Sequence, residues 1–197
     1  IGVASWRHMG KPERIEQVLL KNPGWKKRLT IITHALAVLF PERTKKRIGR
    51  CDYIVNIAAD SHVDRSMQDP VPFIMNNVGI ALTMFEFARG YKPDVFIQVS
   101  TDEVYGVAPK GVDHVEWSSI VPSNPYSASK ACQEAIAISY WRTYGVPLVI
   151  TNTMNNFGEM QDTEKFVGKI IRYVSLGKKM PIHAGRKMGS RYYLHAR

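Results

Sequence analysis

Short apolar runs alternate with helical patterns along most of this chain, and that alternation constrains the fold more than any other feature. Four runs of apolar and β-branched residues are typical of strands, at residues 29–33, 53–58, 95–100 and 148–152. Apolar residues recur at helical spacing over residues 14–20, 71–89, 126–144 and 164–176. This order predicts an α/β fold, a doubly wound parallel sheet with helices on both faces.

The composition fits an ordinary globular protein and argues against a membrane or secreted one. Of the 197 residues, 45% are hydrophobic and 22% are charged, no apolar run looks long enough to cross a bilayer, and no signal pattern opens the chain. Cys51 and Cys132 lie in apolar stretches without metal-ligand spacing. We expect both to be reduced core residues of a cytoplasmic protein rather than a disulfide.

The net charge of +10 is concentrated at the two ends of the chain. Residues 1–50 hold twelve Lys or Arg and three Asp or Glu, and residues 151–197 hold nine and three, whereas the middle is mildly acidic. Basic ends could attract nucleic acid or a phosphorylated small molecule. A solvated basic surface explains any single cluster at least as well.

Polar residues follow three of the four predicted strands. The sequence reads AADSH after the second run, STDE after the third and NTMNNFG after the fourth. One polar strand end usually caps the next helix. Because ligands of open parallel sheets bind beyond the carboxyl ends of the strands, three polar ends on one rim predict a site there.

Tyr126 and Lys130 lie four residues apart near the start of a predicted helix, which places them on one face. A lysine ammonium beside a phenol lowers the pKa of the phenol, and such a tyrosine can act as a general base. Alone, this spacing is weak evidence, because it occurs by chance on exposed helices. The rest of the helix reads as apolar on all sides, which predicts either a core helix or a helix that also meets a second subunit.

Four segments in this order resemble the extended short-chain dehydrogenase/reductase superfamily: IAADSHVDRS, VSTDEVYG, NPYSASKA and TNTMNNFG. Within it, the Thr-Asp-Glu triplet at 101–103 is most similar to the nucleotide-sugar 4,6-dehydratases, of which dTDP-glucose 4,6-dehydratase is typical. The resemblance covers the chain from about Arg28 onward. It implies a Rossmann-like fold, NAD as the cofactor and a nucleotide sugar as the substrate.

The resemblance also implies the chemistry, which is oxidation of the hexose at C4, elimination of water across C5 and C6, and return of the hydride to C6. By position, Tyr126 would take the C4 hydroxyl proton, while Lys130 would hold the phenolate and the cofactor ribose. Thr101 would bind the same substrate oxygen. Two adjacent carboxyl groups can divide acid and base roles. The resemblance implies that Asp102 is the acid and Glu103 the base. A strand end capped by one of these carboxylates is the competing interpretation.

Further positions correspond to binding residues of the family. Those expected at the cofactor are Ile57, Ala58, Ala59, Asp60, Ser61, Asn76, Ser100, Tyr126, Lys130 and Asn156, with Asn77 as an alternative to Asn76. Those expected at the substrate are Ser61, Thr101, Asn155, Lys165, Phe166 and Arg191. Surface charge would explain the two basic residues equally well, and a turn would explain the paired asparagines. The histidines show no metal spacing, so we expect no metal.

The chain departs from the family pattern at several places. It has no G-x-x-G-x-x-G turn, whose amides hold the pyrophosphate, and Ala35 stands where relatives usually have an adenine-contacting aspartate. The loop at 184–190 is about one residue longer than in the family. We therefore expect an incomplete NAD-binding domain at residues 1–152 and the start of a substrate lobe at 153–197, truncated at both ends and binding NAD poorly on its own.

Several functions remain open at this point. An epimerase, a decarboxylase or a rhamnose-type synthase could use the same fold. A non-catalytic binder of nucleotide sugars or nucleic acid is possible from the basic ends, with nucleic acid the less expected partner. A homodimer through the helices at 71–89 and 126–144 is the expected assembly.

Overall fold

The computed structural model describes residues 1–8, 10–181 and 191–197. Its strands are β1 (Gly2–Ala4), β2 (Ile31–Thr33), β3 (Tyr53–Asn56), β4 (Val95–Thr101), β5 (Leu148–Thr153), β6 (Asn155–Phe157) and β7 (Tyr193–His195). Its α-helices are α1 (Pro12–Lys21), α2 (Glu42–Ile48), α3 (Val63–Gln68), α4 (Pro70–Tyr91), α5 (Pro125–Tyr144) and α6 (Phe166–Ser175). All four predicted strands and all four predicted helices are present. The additional elements, β1, β6, β7, α2 and α3, are at most seven residues long, which is too short for a periodic signal.

The chain divides into two compact units. Unit 1 comprises residues Ile1–Ser5 and Lys27–Thr153, and unit 2 comprises Trp6–Lys26 and Met154–Arg197. The expected division at 152/153 assigned all of residues 1–152 to one domain, whereas the segment Trp6–Lys26 lies in unit 2. The predicted loop at 184–190 lies outside the described residues.

Every strand pair in the described residues is parallel. In unit 1, β1 pairs with β2, and β3, β4 and β5 form a separate sheet in that order. Doubly wound sheets of the Rossmann type run in the order 3-2-1-4-5-6. The two pieces in unit 1 match the 3-2 and 4-5-6 portions of that order, and the described residues provide no strand between them.

Helices α4 and α5 pack on one face of the β3-β4-β5 sheet and create the core. Phe85 of α4 stacks on Phe96 of β4 with ring centroids 4.3 Å apart, and both side chains are fully buried. Ile54 and Ala137 complete this layer. Helix α5 begins with a capping box between Asn124 and Ser127, which satisfies the amides of its first turn.

In the described residues, α4 and α5 cover one face of the β3-β4-β5 sheet, and the other face is open. Burial along β3 alternates, with Tyr53 70% and Val55 51% exposed while Ile54 is buried. Val149 of β5 lies on the same open face, and is also exposed. The strands are apolar on both faces, yet α4 and α5 pack against only one of them.

Helix α4 is the one helix in the described ranges that is long and apolar enough to cross a membrane, which the sequence had not led us to expect. Its packing gives a different explanation. Phe73, Ile80 and Phe85 are buried in the core, and the helix makes its most extensive contact with α5. A buried core helix passes the same length and composition test.

The prediction for the cysteines is confirmed in one respect and wrong in another. Both thiols are free, as expected. Cys132 is exposed rather than in the core, because it lies on the outer side of α5.

Candidate active site

The end of β4 turns sharply at Thr101 and presents two carboxylates. Thr101 caps a short 3₁₀ helix, Asp102–Tyr105, and its Oγ1 accepts a hydrogen bond from the Glu103 amide at 3.3 Å and donates one to Asp102 Oδ1 at 3.2 Å. Gly106 ends this turn at φ +77°, where a Cβ would overlap the carbonyl oxygen of Val121. The backbone conformation at this strand end therefore requires glycine at position 106.

The first turn of α5 lies beside that strand end. Asn124, which caps the helix, also places its Nδ2 3.5 Å from Glu103 Oε2. The Tyr126 amide donates to Ser66 Oγ of α3 at 3.2 Å, and the Tyr126 ring meets Phe73 of α4 edge-on. Three helices thus fix the position of the phenol.

The phenol of Tyr126 lies at the polar end of β4. Its hydroxyl is close enough to the Thr101 side chain for Thr101 to lower the pKa of the phenol. Burial, followed by the nearby Glu103 and Asp102 carboxylates, outweighs that effect and raises the pKa of Tyr126 to about 12. The structure therefore brings together four of the five predicted catalytic residues: Thr101, Asp102, Glu103 and Tyr126.

Lys130 takes a different position from the one expected. Its Nζ donates to the Val99 carbonyl oxygen and to Gln133 Oε1, each at 2.7 Å, and the side chain is 3% exposed. Burial lowers the pKa of Lys130 to about 8, with Glu134 acting in the opposite direction. The expected lowering of the Tyr126 pKa by Lys130 is wrong for this structure, since the ammonium is bonded to strand β4 and to its own helix.

The segment after β3 is held by an asparagine of α4. Asn77 Oδ1 accepts from the Asp60 amide at 2.8 Å, and its Nδ2 donates to the Asp60 carbonyl at 3.0 Å and to Ser129 Oγ at 2.8 Å. Asn76 donates to the Asp60 carboxylate at 2.8 Å. Both asparagines therefore position this segment, in which Ala58, Ala59 and Asp60 are half-buried and Ile57 and Ser61 are exposed.

A buried polar network beneath the site was missed by the sequence reading. Ser100, predicted at the cofactor, instead donates its hydroxyl to Glu134, which also accepts from Asn152 Nδ2 at 2.8 Å. Gln133 accepts from Gln98 at 3.1 Å and donates to the Asn77 carbonyl at 2.7 Å. Gln133 and Glu134 follow Lys130 by three and four residues, a helical spacing that places them on its face and that could have revealed them.

The remaining predicted substrate and cofactor residues belong to unit 2. Asn155 and Asn156 lie in β6, which pairs with β7, so the alternative of a turn at this position is wrong. Phe166 is the first residue of α6, and its ring stacks with that of Tyr193, with centroids 6.2 Å apart. Lys165 directly precedes α6, and Arg191 is an exposed residue shortly before β7.

Unit 2 also contains a cavity of about 300 Å³. It lies between the turn that follows β6 and helix α6, and Met160, Thr163, Val167 and Ile171 are among its lining residues. Across residues 1–8, 10–181 and 191–197, no cluster of three or more His, Cys, Asp or Glu side chains is placed to hold a metal ion.

Comparison with known proteins places this arrangement in a family. Residues 13–197 match the family model described as GDP-mannose 4,6 dehydratase. A Low-salt glycan biosynthesis protein, Agl12, of Haloferax volcanii is 41% identical over 136 residues, which is 69% of this chain and 44% of that protein. A dTDP-glucose 4,6-dehydratase of Xanthomonas campestris is 37% identical over 145 residues, which is 69% of this chain and 41% of that enzyme. The chain thus spans less than half the length of these curated relatives.

Solved structures agree with this assignment. The dTDP-glucose 4,6-dehydratase DesIV of Streptomyces venezuelae, solved with NAD bound, superposes with a TM-score of 0.86 at 31% identity, over 98% of this chain and 57% of that one. A UDP-glucuronic acid 4-epimerase of Bacillus cereus superposes with a TM-score of 0.83 at 21% identity, over 98% of this chain and 60% of the epimerase. The second likeness shows a shared fold.

Proposed function

The chain belongs to the GDP-mannose 4,6 dehydratase family, and we propose that it carries the dehydrating centre of an NAD-dependent enzyme acting on a nucleoside-diphosphate hexose. The product would be a 4-keto-6-deoxy sugar nucleotide, and dTDP-glucose is the first substrate to test. The observation that carries this proposal is the meeting of the Tyr126 phenol with Thr101 and two carboxylates at one strand end. An oxidation of the sugar needs the phenol, and an elimination needs an acid and a base.

The first proposed step uses Tyr126 as the base that accepts the proton of the C4 hydroxyl. Thr101, which acts on the pKa of the phenol, would hold the same substrate oxygen. With a pKa near 12, Tyr126 is a poor base at neutral pH until a positive charge acts on it. Lys130 can supply that charge, because an ammonium has three N–H donors and two of them serve Val99 and Gln133.

The second proposed step uses the two carboxyl groups of the 3₁₀ turn. Asp102 would protonate the departing C6 hydroxyl, and Glu103 would take the proton from C5. The Asn124 amide, 3.5 Å from Glu103 Oε2, fixes that carboxylate beside the start of α5. The Glu103 side chain is therefore held near Tyr126, as two successive steps on one hexose ring require.

The segment after β3 is the proposed contact for the nicotinamide end of NAD. The half-buried Ala58 and Ala59 allow close approach to the backbone, and Asn77 holds the following residue, Asp60, by two backbone hydrogen bonds. The chemistry that NAD would supply there is acceptance of the C4 hydride and its return at C6. The sequence offers no glycine-rich turn for the pyrophosphate, so we propose that this chain by itself binds NAD weakly.

Unit 2 would supply contacts to the nucleotide part of the substrate. Its two segments are rich in Lys and Arg, which suits a diphosphate. Lys165 and Arg191 are the proposed charged contacts, and Phe166 offers a 54% exposed ring for a base. Asn155 would meet the sugar, and Asn156 would meet the cofactor.

The decisive experiment follows the full-length protein with NAD and dTDP-glucose. Tyr126→Phe should lower formation of the 4-keto-6-deoxy product by about 10²–10⁴-fold, since the general base is lost. Glu103→Gln should still form NADH transiently while product formation is blocked at the elimination step. Tyr53→Phe, on the open face of the sheet, is the matched control and should keep wild-type rates.

Two results would contradict the proposal. A Tyr126→Phe protein that forms product at the wild-type rate would remove the phenol from the chemistry. A wild-type protein that binds the sugar nucleotide without any redox change in NAD would instead be a non-catalytic binder.

The proposed assembly is a homodimer through the outer faces of α4 and α5. Met75 and Leu82 of α4 and Ile138 and Trp141 of α5 are all exposed apolar residues on these packed helices. The proposed location is the cytoplasm, in keeping with two free cysteines. Light scattering of the full-length protein and of its Trp141→Glu variant tests the assembly. A dimeric wild type and a monomeric variant are expected, and a monomeric wild type would contradict the proposal.

A further inference from the structure

The buried side of α5 is polar directly below Lys130, although a helix in this position would ordinarily present apolar residues to the core. Gln133 is fully buried and Glu134 is 5% exposed. Neither residue takes part in the steps proposed above. Burying a carboxylate costs free energy unless it is paired and hydrogen-bonded, so the contacts of Glu134 must offset that cost.

Glu134 connects three elements at the rim of the sheet. Its Oε1 accepts from Ser100 Oγ of β4 and from Asn152 Nδ2 of β5. The Asn152 amide also lies 3.4 Å from the Thr101 carbonyl oxygen. One side chain of α5 is thereby bonded to the last residues of the strand that leads into Thr101, Asp102 and Glu103.

Glu134 is also the charged group that acts on Lys130. Burial depresses the pKa of the lysine, and the Glu134 carboxylate opposes this effect. The groups that contact the ammonium directly are neutral, namely the Val99 carbonyl of β4 and the Gln133 amide of α5. From α4, Asn77 reaches it only through Gln133, and from β4 the neutral Gln98 does the same.

The carboxylates of Asp102 and Glu103, at the end of β4, raise the pKa of Tyr126. β5 contributes the neutral Asn152, which bonds to Glu134. The Glu134 carboxylate, four residues further along the same helix, is thus the charged group that raises the pKa of Lys130. Burial raises the pKa of Glu134 itself, and its hydrogen bonds from Ser100 and Asn152 and the charge of Lys130 oppose that rise.

We propose that Glu134 is a positioning residue for the Tyr126–Lys130 pair. Its carboxylate accepts from Ser100 and Asn152 and so bonds α5, the helix that carries Tyr126 and Lys130, to the strand end that carries the acid and base. Its negative charge lies one helical turn after the buried ammonium on the same helix. This role in catalysis rests on the proposed function, whereas the effect on Lys130 is a property of the protein without substrate.

The test is an NMR titration of ¹³Cε-labelled lysine, with the Lys130 signal assigned by its loss in Lys130→Arg. In wild type, we expect a midpoint near 8. Glu134→Gln keeps the shape and the Oε1 acceptor but removes the charge, and should lower the midpoint by about one pH unit or more. Glu16→Gln, which removes an equal charge from an exposed position of α1, should leave it unchanged.

Two results would overturn the proposal. One is a wild-type midpoint near the ordinary lysine value, about 10.4, which needs no variant to fold. The other is a midpoint that does not move in Glu134→Gln. Glu134→Asp keeps the charge on a shorter side chain, so its Lys130 midpoint should stay close to the wild-type value. A Lys130 midpoint as low as that of Glu134→Gln would also count against the role of charge.

In the active full-length enzyme, Glu134→Gln should shift the alkaline limb of kcat/KM to lower pH, whereas an equal loss at every pH would indicate only a structural role and overturn the proposal. The two proposals fail separately. A shifted titration in a protein without dehydratase activity refutes the function and leaves the Glu134 effect intact. An unshifted titration in an active enzyme refutes the role of Glu134 alone.

Discussion

Unit 1 and unit 2 are stabilised by different interactions. Every described residue that is buried lies in unit 1, whereas α1 and α6 of unit 2 contain no buried residue. Polar contacts join the segments of unit 2, namely an ion pair of Arg14 with Asp162 at 2.9 Å and a hydrogen bond between His8 and Glu164 at 3.2 Å. Burial of a large apolar side chain contributes about 1.5–3 kcal/mol, and an exposed ion pair about 0–1 kcal/mol. The proposed catalytic residues therefore lie in unit 1, which is stabilised by a buried core. The proposed nucleotide contacts lie in unit 2, whose interactions contribute less to stability.

The largest expected effect is loss of the aromatic core. Phe85→Ala removes a fully buried ring that stacks on Phe96 and should lower the free energy of unfolding by about 3–5 kcal/mol. Leu20→Ala, at an 81% exposed position of α1 in unit 2, should change it by less than about 0.5 kcal/mol. Urea unfolding followed by circular dichroism gives both values. Equal losses in the two variants would contradict the contrast between the units.

An intermediate effect is expected from a buried amide. Asn77→Ala leaves the amide of Asp60 without its acceptor and should cost about 1–3 kcal/mol of unfolding free energy. Asn22→Ala is the matched change in unit 2, where the side chain donates to the Val18 carbonyl at an exposed site, and it should cost little. The same urea titration compares them, and a larger cost at Asn22 would reverse our interpretation.

The smallest expected effect concerns the ion pair of unit 2. The Glu164 amide hydrogen bond, the charge of Lys11 and the Arg14 side chain lower the pKa of Asp162. Because its folded pKa is depressed, its contribution is present above the unfolded value of about 3.9 and is lost as pH falls through the folded pKa. Arg14→Ala should cost about 0.2–1 kcal/mol at neutral pH.

Hydrogen exchange at neutral pH can localise that effect. Amides of α1 and α6 should exchange faster in Arg14→Ala, and the difference from wild type should shrink at high salt. Arg50→Ala breaks a comparable pair with Asp94 on the surface of unit 1 and should leave α4 and α5 unchanged. Faster exchange in α4 and α5 of Arg14→Ala would contradict the separate behaviour of the units.

The order of elements could be predicted from the sequence because each long element carries its own periodicity. The runs that became β3, β4 and β5 and the helices α4 and α5 needed no tertiary information. Thr101, Asp102 and Glu103 could be placed on the polar rim as well, since carboxyl ends of parallel strands share one rim. The resemblance to the dehydratases added Tyr126 to this group.

Other features depend on tertiary contacts that no local pattern records. The Lys130 ammonium is oriented by its hydrogen bond to the backbone carbonyl of Val99. A pattern of side chains in the sequence does not predict a contact with the backbone. Cys132 looked like a core residue because its neighbours are apolar, yet the buried face of α5 is the one that carries Gln133 and Glu134. Apolar character on both sides of β3 predicted two covered faces, whereas only Ile54 and its neighbours on one face are packed.

The open face of the β3-β4-β5 sheet has a practical consequence for work with this polypeptide. Tyr53, Val55 and Val149 form an exposed apolar surface, and β3 has an edge to which no described strand is paired. Such a surface favours self-association through added strands or stacked sheets. Colloidal stability of the purified chain should therefore decline steeply with concentration, and a low protein concentration or a mild detergent should restore it.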